Sequence, residues 1–378
     1  MQRLVVPRPP TVRAQPVRTS APARTSPRAR RAHAAALACA FAVASVAAAS
    51  PAAAEDGAAG ADAAADAHGA HALHPPIGVS GGHTLARGGI AVGYSYDVAS
   101  YDQLRERTND VTATGYLSRT PFFASAPSRL RVERHEFALL VATTDRLSLL
   151  LEVPFVRAEM RNETASGSYT TESGGLGDIA LSGVFLFMRH GSERLFFSTE
   201  LGMPTGSISQ RDDTPSGQRV LPYAMQPGSG VWHVETGLTY EGTLWKYTWG
   251  GQIATLFQLG DADVGDAHYT PGNRYAVTGW LAREWCDALS TSLRLRWHRW
   301  GNTSGRDTRM PIAESTANDP MRQRGERVDL LAGAEVRLPF APRQALALEA
   351  GFPLLESLDG PAPSFDWSVR VGWRWSYP

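Results

Sequence analysis

Few side chains in this chain are arranged in a way that could do chemistry. His68, His71 and His74 fall within seven residues. Neutral imidazoles so spaced can chelate Cu(II), Ni(II) or Zn(II), and the competing reading is a solvated tail. Ser292 and His298 share one face of an alternating segment but stand three alternate positions apart, too far for a nucleophile and its base, and no Asn-His-x-Ser cluster occurs. Asp212, Asp213 and His233 are the acid and imidazole groups that a rim protease would need, without a defining spacing. Gly175-Leu176-Gly177-Asp178-Ile179-Ala180 has Gly-x-Gly-x-x-Ala spacing but no strand-turn-helix context, so it reads as a Gly-rich strand entry. Cys39 and Cys286 are too few for a disulfide scaffold or a cysteine-built zinc site. The reading is therefore non-enzymatic, with no cofactor expected.

The elements that would position any site follow from charge and pattern. The 37 basic and 37 acidic residues cancel, but residues 1–54 hold eight Arg and no acid. The remainder carries 29 basic and 37 acidic groups, the wrong sign for nucleic-acid binding. Lys246 is the only lysine. Arg28, Arg30 and Arg31 precede an uncharged Ala-rich run, 34–49, which ends in Ser50-Pro51-Ala52-Ala53-Ala54. That order of basic, apolar and small-residue parts predicts a signal peptide over 1–54, cut after Ala54. Residues 55–88 are mostly Ala, Gly, Asp and His with few large apolar side chains, and they predict a disordered periplasmic segment.

From residue 89 the pattern is strand-like. Trp367, Val369, Val371, Trp373, Trp375 and Tyr377 alternate with Ser368, Arg370, Gly372, Arg374 and Ser376. The same period of two runs through 289–298 and 90–97, and weaker versions bring the total to about twelve segments. No run after residue 54 is apolar enough for a spanning helix. The connections between segments alternate long and short without exception, as in outer-membrane barrels, where short turns are periplasmic and long loops external. The expectation is an all-β, transmembrane antiparallel β-barrel of the outer-membrane type over 89–378, in contact with outer-membrane lipid. The last segment adds an assembly signature in which Gly372, Trp375 and Tyr377 would be read by the outer-membrane assembly machinery, with Pro378 as a one-residue departure.

On such a barrel Arg294, Arg296, His298, Arg370 and Arg374 fall on the polar, lumen-facing side and are candidate channel-lining residues. The alternative is a structural ladder in which the arginines pair with lumen acids such as Glu200, Glu235, Asp329, Glu335 or Glu349. Arg211, Asp212, Asp213 and Arg219 lie in a long Pro-stiffened loop, 204–230, and are candidates for a constriction that pairs across the mouth.

Thr170–Asp178, with its Ser-Gly-Gly-Leu-Gly-Asp end, then Met203-Pro204-Thr205-Gly206-Ser207 and Leu221-Pro222-Tyr223-Ala224-Met225-Gln226-Pro227-Gly228-Ser229-Gly230, resemble the bacterial outer-membrane family called transporter, or MetA-pathway of phenol degradation. The resemblance runs over roughly 145–377. It implies an outer-membrane channel or transporter for small solutes, among them hydrophobic or aromatic compounds, working passively and without catalytic residues. Relatives often carry a Met- and His-rich segment before the barrel, which points to copper; this chain keeps His68, His71, His74 and His83 there but no Met. Two alternatives stay open: a non-conducting structural or copper-associated barrel in the outer membrane, and a secreted soluble β-barrel that binds a ligand.

Overall fold

The computed structural model describes residues 75–377. The expected signal peptide, the segment to residue 74 and the imidazoles of His68, His71 and His74 lie outside the described residues. Cys286, exposed, ends a strand at a two-residue turn.

The elements are β1 (Ile90–Arg107), β2 (Asn109–Val111), helix α1 (Ala113–Arg119), β3 (Ser125–Ala142), β4 (Leu147–Thr164), β5 (Gly167–Leu176), β6 (Ile179–His190), β7 (Glu193–Met203), β8 (Arg211–Thr214), β9 (Gly217–Val220), β10 (Trp232–Leu244), β11 (Tyr247–Leu259), β12 (Ala262–Val264), β13 (Ala267–Thr270), β14 (Arg274–Cys286), β15 (Leu289–Trp300), β16 (Ser304–Asp307), β17 (Gly325–Leu338) and β18 (Ala341–Tyr377). Eleven of these form a closed antiparallel wall in the order β1-β3-β4-β6-β7-β10-β11-β14-β15-β17-β18, and β18 returns to pair with β1. The closing ladder runs from Ile90 opposite Tyr377 to Arg107 opposite Leu358. β18 pairs with β17 through residues 341–358 and with β1 through 358–377.

Consecutive wall strands are neighbours because the connections at one end are short enough to force hairpins. The turns at 191–192, 245–246, 287–288 and 339–340 have two residues each, and that at 143–146 has four. Two-residue hairpins favour positive φ, which Gly191 supplies at 55°. At the other end the connections are long and build structure of their own: the β8–β9 hairpin, a three-stranded β12-β13-β16 sheet, α1, and β5, which extends β4 beyond the wall.

Period two sorts the side chains. Leu139, Leu149, Leu181, Phe197, Leu238, Ile253, Leu281, Leu293 and Leu348 point outward and are 40–59% exposed, a ring of large apolar groups around the middle of the wall. A solvated surface does not carry a continuous apolar belt of this kind; a bilayer-facing one does. The alternate positions, Glu136, Glu152, Ser182, Glu200, Gln252, Arg294, Asp329 and Glu349, line the interior. None of the described helices is long and apolar enough to cross a membrane.

Ile253 is 59% exposed at the centre of β11. Ile253→Arg should cost about 2–4 kcal/mol of barrel stability in lipid. The same substitution at Ser216, in the exposed β8–β9 turn, should cost close to nothing, with both read from urea-dependent folding into vesicles.

Candidate functional site: the lumen

The interior is where the wall collects its charge. Arg294 on β15 makes a bidentate pair with Glu349 on β18, Nε to Oε2 at 3.0 Å and Nη2 to Oε1 at 2.5 Å, with both side chains under 5% exposed. Arg296 reaches Asp329 on β17 at 2.8 Å, Arg327 reaches the same carboxylate at 2.7 Å, and His298 Nε2 lies 3.3 Å from it. Arg374 meets Glu335 at 3.2 Å, and Arg370 pairs with Asp97 on β1. Each of the four arginines expected to line a channel is thus held by a carboxylate, three of them by acids named as ladder partners. Such pairs form because an arginine in a confined interior cannot lose its proton and must find an anion.

The opposite wall is different. Glu200 on β7 takes a hydrogen bond from Ser182 at 3.2 Å and lies 3.4 Å from His233. Glu136 on β3 pairs with the exposed Arg134 at 3.7 Å. Glu152 on β4 and Glu235 on β10 make no hydrogen bond or ion pair among the described residues. The arginines of β15, β17 and β18 are thus matched by acids, and the facing side carries Glu136, Glu152, Glu200 and Glu235, with Arg134 beside Glu136 and Arg274 close enough to act on Glu235.

The segment before β1 enters this space, which the sequence reading did not anticipate. Gln252 donates to the Ser80 carbonyl at 2.5 Å, and Arg370 to that of Ile77 at 3.3 Å. A Cβ on Gly78 would overlap the Arg294 guanidinium, so glycine is what lets the backbone pass the Arg294–Glu349 pair. Ile77 lies against Gly372, and Gly82 against Thr239. Residues 85–89 then hook over the 143–146 turn, through Leu85 N to Ser148, Arg87 N to Asp145 at 2.9 Å, and Gly88 N to the Ala142 carbonyl at 2.9 Å. A cavity of about 230 Å³ remains beside the segment, with Val79, Leu140, Leu150 and Val184 on its apolar surface and Glu136, Glu152, Glu335, Arg370 and Arg374 as its charged groups. The sequence signal was Pro75-Pro76-Ile77, an apolar knot in an otherwise small-residue tract.

The long-loop mouth is packed as well. The 204–230 loop turns inward, so that Leu221 and Met225 bury against Leu130, Ala158 and Met160 on the inner faces of β3 and β4. Its base is clasped by Asp178, whose Oδ1 accepts from Gly206 N at 3.0 Å and whose Oδ2 accepts from Ser229 N and Oγ at 2.8 and 2.6 Å. Gly206 and Gly228 touch backbone to backbone there, with no room for a Cβ on either. The Gly-rich run of 175–180 is therefore the break between β5 and β6 that seats this loop.

The candidate constriction residues sit on the β8–β9 hairpin, with Asp212 opposite Arg219 in the ladder. Arg219 turns to Glu314 at 3.5 Å, and Asp212 accepts from Glu172 N at 2.7 Å. Arg211 and Asp213 make no ion pair among the described residues. The Arg219–Glu314 pair, with Thr214 Oγ1 donating to Glu314 at 3.2 Å, ties this hairpin to the long connection between β16 and β17. His233, lumenal and beside Glu200, lies on a different element from Asp212 and Asp213.

No protein-family model and no curated protein sequence matches the chain. Among solved structures it is similar to the COG4313 outer membrane channel from Pseudomonas putida F1, with 16% identity and a TM-score of 0.56 over 80% of this chain and 100% of that one. The beta domain of the Bordetella autotransporter BrkA aligns at 13% identity and TM-score 0.41 over 77% of this chain and 100% of that one. A Pseudomonas aeruginosa FadL homologue aligns at 9% and 0.39 over 77% and 90%. The first of these establishes a shared fold, that of an outer-membrane barrel.

Glu349→Gln leaves the Arg294 charge buried against a neutral amide. It should destabilise the barrel by about 3–5 kcal/mol, read as a lowered urea midpoint.

Proposed function

We propose that this chain is an outer-membrane channel through which small solutes move passively. The observation that carries the reading is the inversion of polarity across the wall: large apolar groups outside, and inside a charged lumen with a cavity next to apolar side chains. The apolar belt counts against the secreted soluble barrel. Export through a signal peptide over 1–54 and insertion by way of Gly372, Trp375 and Tyr377 belong to the same reading.

Twelve staves fit the wall better than eleven. Ala341 lies opposite Leu338 and Tyr377 opposite Ile90, so both ends of β18 sit at the short-turn end of the barrel. A strand of 37 residues can satisfy that only by reversing near Leu358, which makes it a hairpin of two staves. An even count also returns both termini to one side.

Hydrophobic or aromatic compounds are the favoured solutes, on the resemblance to the phenol-degradation transporter family and on the apolar surface of the cavity. A closed structural barrel is the second reading, supported by the packing of Pro75–His83 and of the 204–230 loop into the two halves of the lumen.

Planar-bilayer recording separates the two. Gly78→Leu, which crowds Arg294, should dislodge the segment and raise conductance above that of the native chain. Silence in both the native and Gly78→Leu forms, with no phenol uptake by liposomes, would establish the structural barrel instead.

A further inference from the structure

The outward face near the short turns carries cations that the lumen pairing does not use. Arg283 on β14 stands opposite Tyr247 on β11 and Thr291 on β15. Its guanidinium carbon lies 4.0 Å from the Trp285 ring centroid and 5.5 Å from that of Tyr247. Trp285 is fixed in turn, because its Nε1 donates to Thr291 Oγ1 at 2.9 Å. Leu281 and Leu293, 52% and 53% exposed, continue the same face toward the middle of the belt. No carboxylate pairs with Arg283 among the described residues; the nearby Glu284, on the other face of the strand, goes to Arg337 at 3.9 Å.

The long-loop end is built otherwise. Outward arginines there have acids of their own: Arg131 has Glu133, Arg157 has Glu172 and Arg161 has Glu163, at 2.8–3.2 Å. The short-turn rim repeats the arginine-on-aromatic motif instead, with Arg343 4.7 Å over Tyr377. Lys246, the only lysine of the chain, tips the 245–246 turn beside Tyr247. Its neighbour Trp245 is 91% exposed at φ 57°, a left-handed backbone that non-glycine residues rarely adopt.

An arginine next to an apolar belt keeps its charge and its need for hydrogen-bond acceptors. With no acid on the protein side, the acceptor must come from the surroundings. At that depth, beside exposed aromatic rings of the kind that settle at headgroup level, the available anion is a lipid phosphate.

We infer that Tyr247, Arg283 and Trp285, with Lys246 at the turn tip, form a binding site for the phosphate of a phospholipid in the leaflet that faces the short turns. The rings orient the guanidinium fork, Arg283 and Lys246 engage the phosphate oxygens, and the acyl chains lie along Leu281 and Leu293. The inference rests on the membrane reading but not on conduction, so a silent channel leaves it standing.

The test is native mass spectrometry of the detergent-released full barrel, titrated with phosphatidylglycerol and with diacylglycerol of the same chains. Phosphatidylglycerol should stay bound under collisional activation where diacylglycerol leaves. Arg283→Gln should lower the bound fraction about ten-fold, as expected for loss of charge-assisted hydrogen bonds. Trp285→Leu, which keeps the cation and removes its ring, should also lower it, and Arg157→Gln at the far rim should not. The boiled-against-unboiled gel shift confirms folding of each variant, and Trp285→Leu decides if Arg283→Gln does not fold. Equal retention of diacylglycerol, unchanged retention in the deciding variants, or displacement by inorganic phosphate alone would overturn the inference.

Discussion

The structure depends on one ladder, the pairing of β1 with β18. A sheet in hydrocarbon has no water to satisfy the N–H and C=O groups of an open edge, and each orphan would cost several kcal/mol. Closure removes both edges at once. It also creates two solvents, lipid outside and a confined polar space within, and it assigns alternate residues of every strand to one or the other. A one-residue slip would send the arginines into lipid and the leucines into the lumen, so the register is fixed by the same partition that fixes the fold.

That confinement explains the arrangement of lumen charge. The arginines of β15, β17 and β18 cannot be neutralised by proton loss, so they are met by Glu349, Asp329, Glu335, Glu356 and Asp97. Asp329 serves two arginines and stands beside His298. The segment Pro75–His83 uses the same chemistry, offering backbone carbonyls to Arg370 and Gln252.

Much of this was legible in the sequence because the governing signals are local. Period two places Arg294, Arg296, Arg370 and Arg374 inside, and the alternation of short and long connections predicts the hairpin wall. The pairing of those arginines was open, because Arg294 and Glu349 are 55 residues apart and only the ladder makes them neighbours. The entry of Pro75–His83 was hidden for a different reason: Ala-, Gly- and His-rich chain cannot form a core alone, but it can fill space that another element has enclosed. The 204–230 loop was visible as long and stiff, yet its direction is set by Asp178, whose three hydrogen bonds come from residues 28 and 51 positions away. The composition of the motif was readable and its geometry was not.

The segment that occupies the lumen is covalently joined to the wall through residues 85–89. It is therefore an intramolecular ligand, present at an effective concentration on the order of millimolar however dilute the protein is. A solute that shares its space competes against that fixed concentration, and its apparent affinity is reduced by the fraction of barrels in which the segment is withdrawn. Small changes in the hook over the 143–146 turn would then tune permeation without altering a single residue that a solute touches.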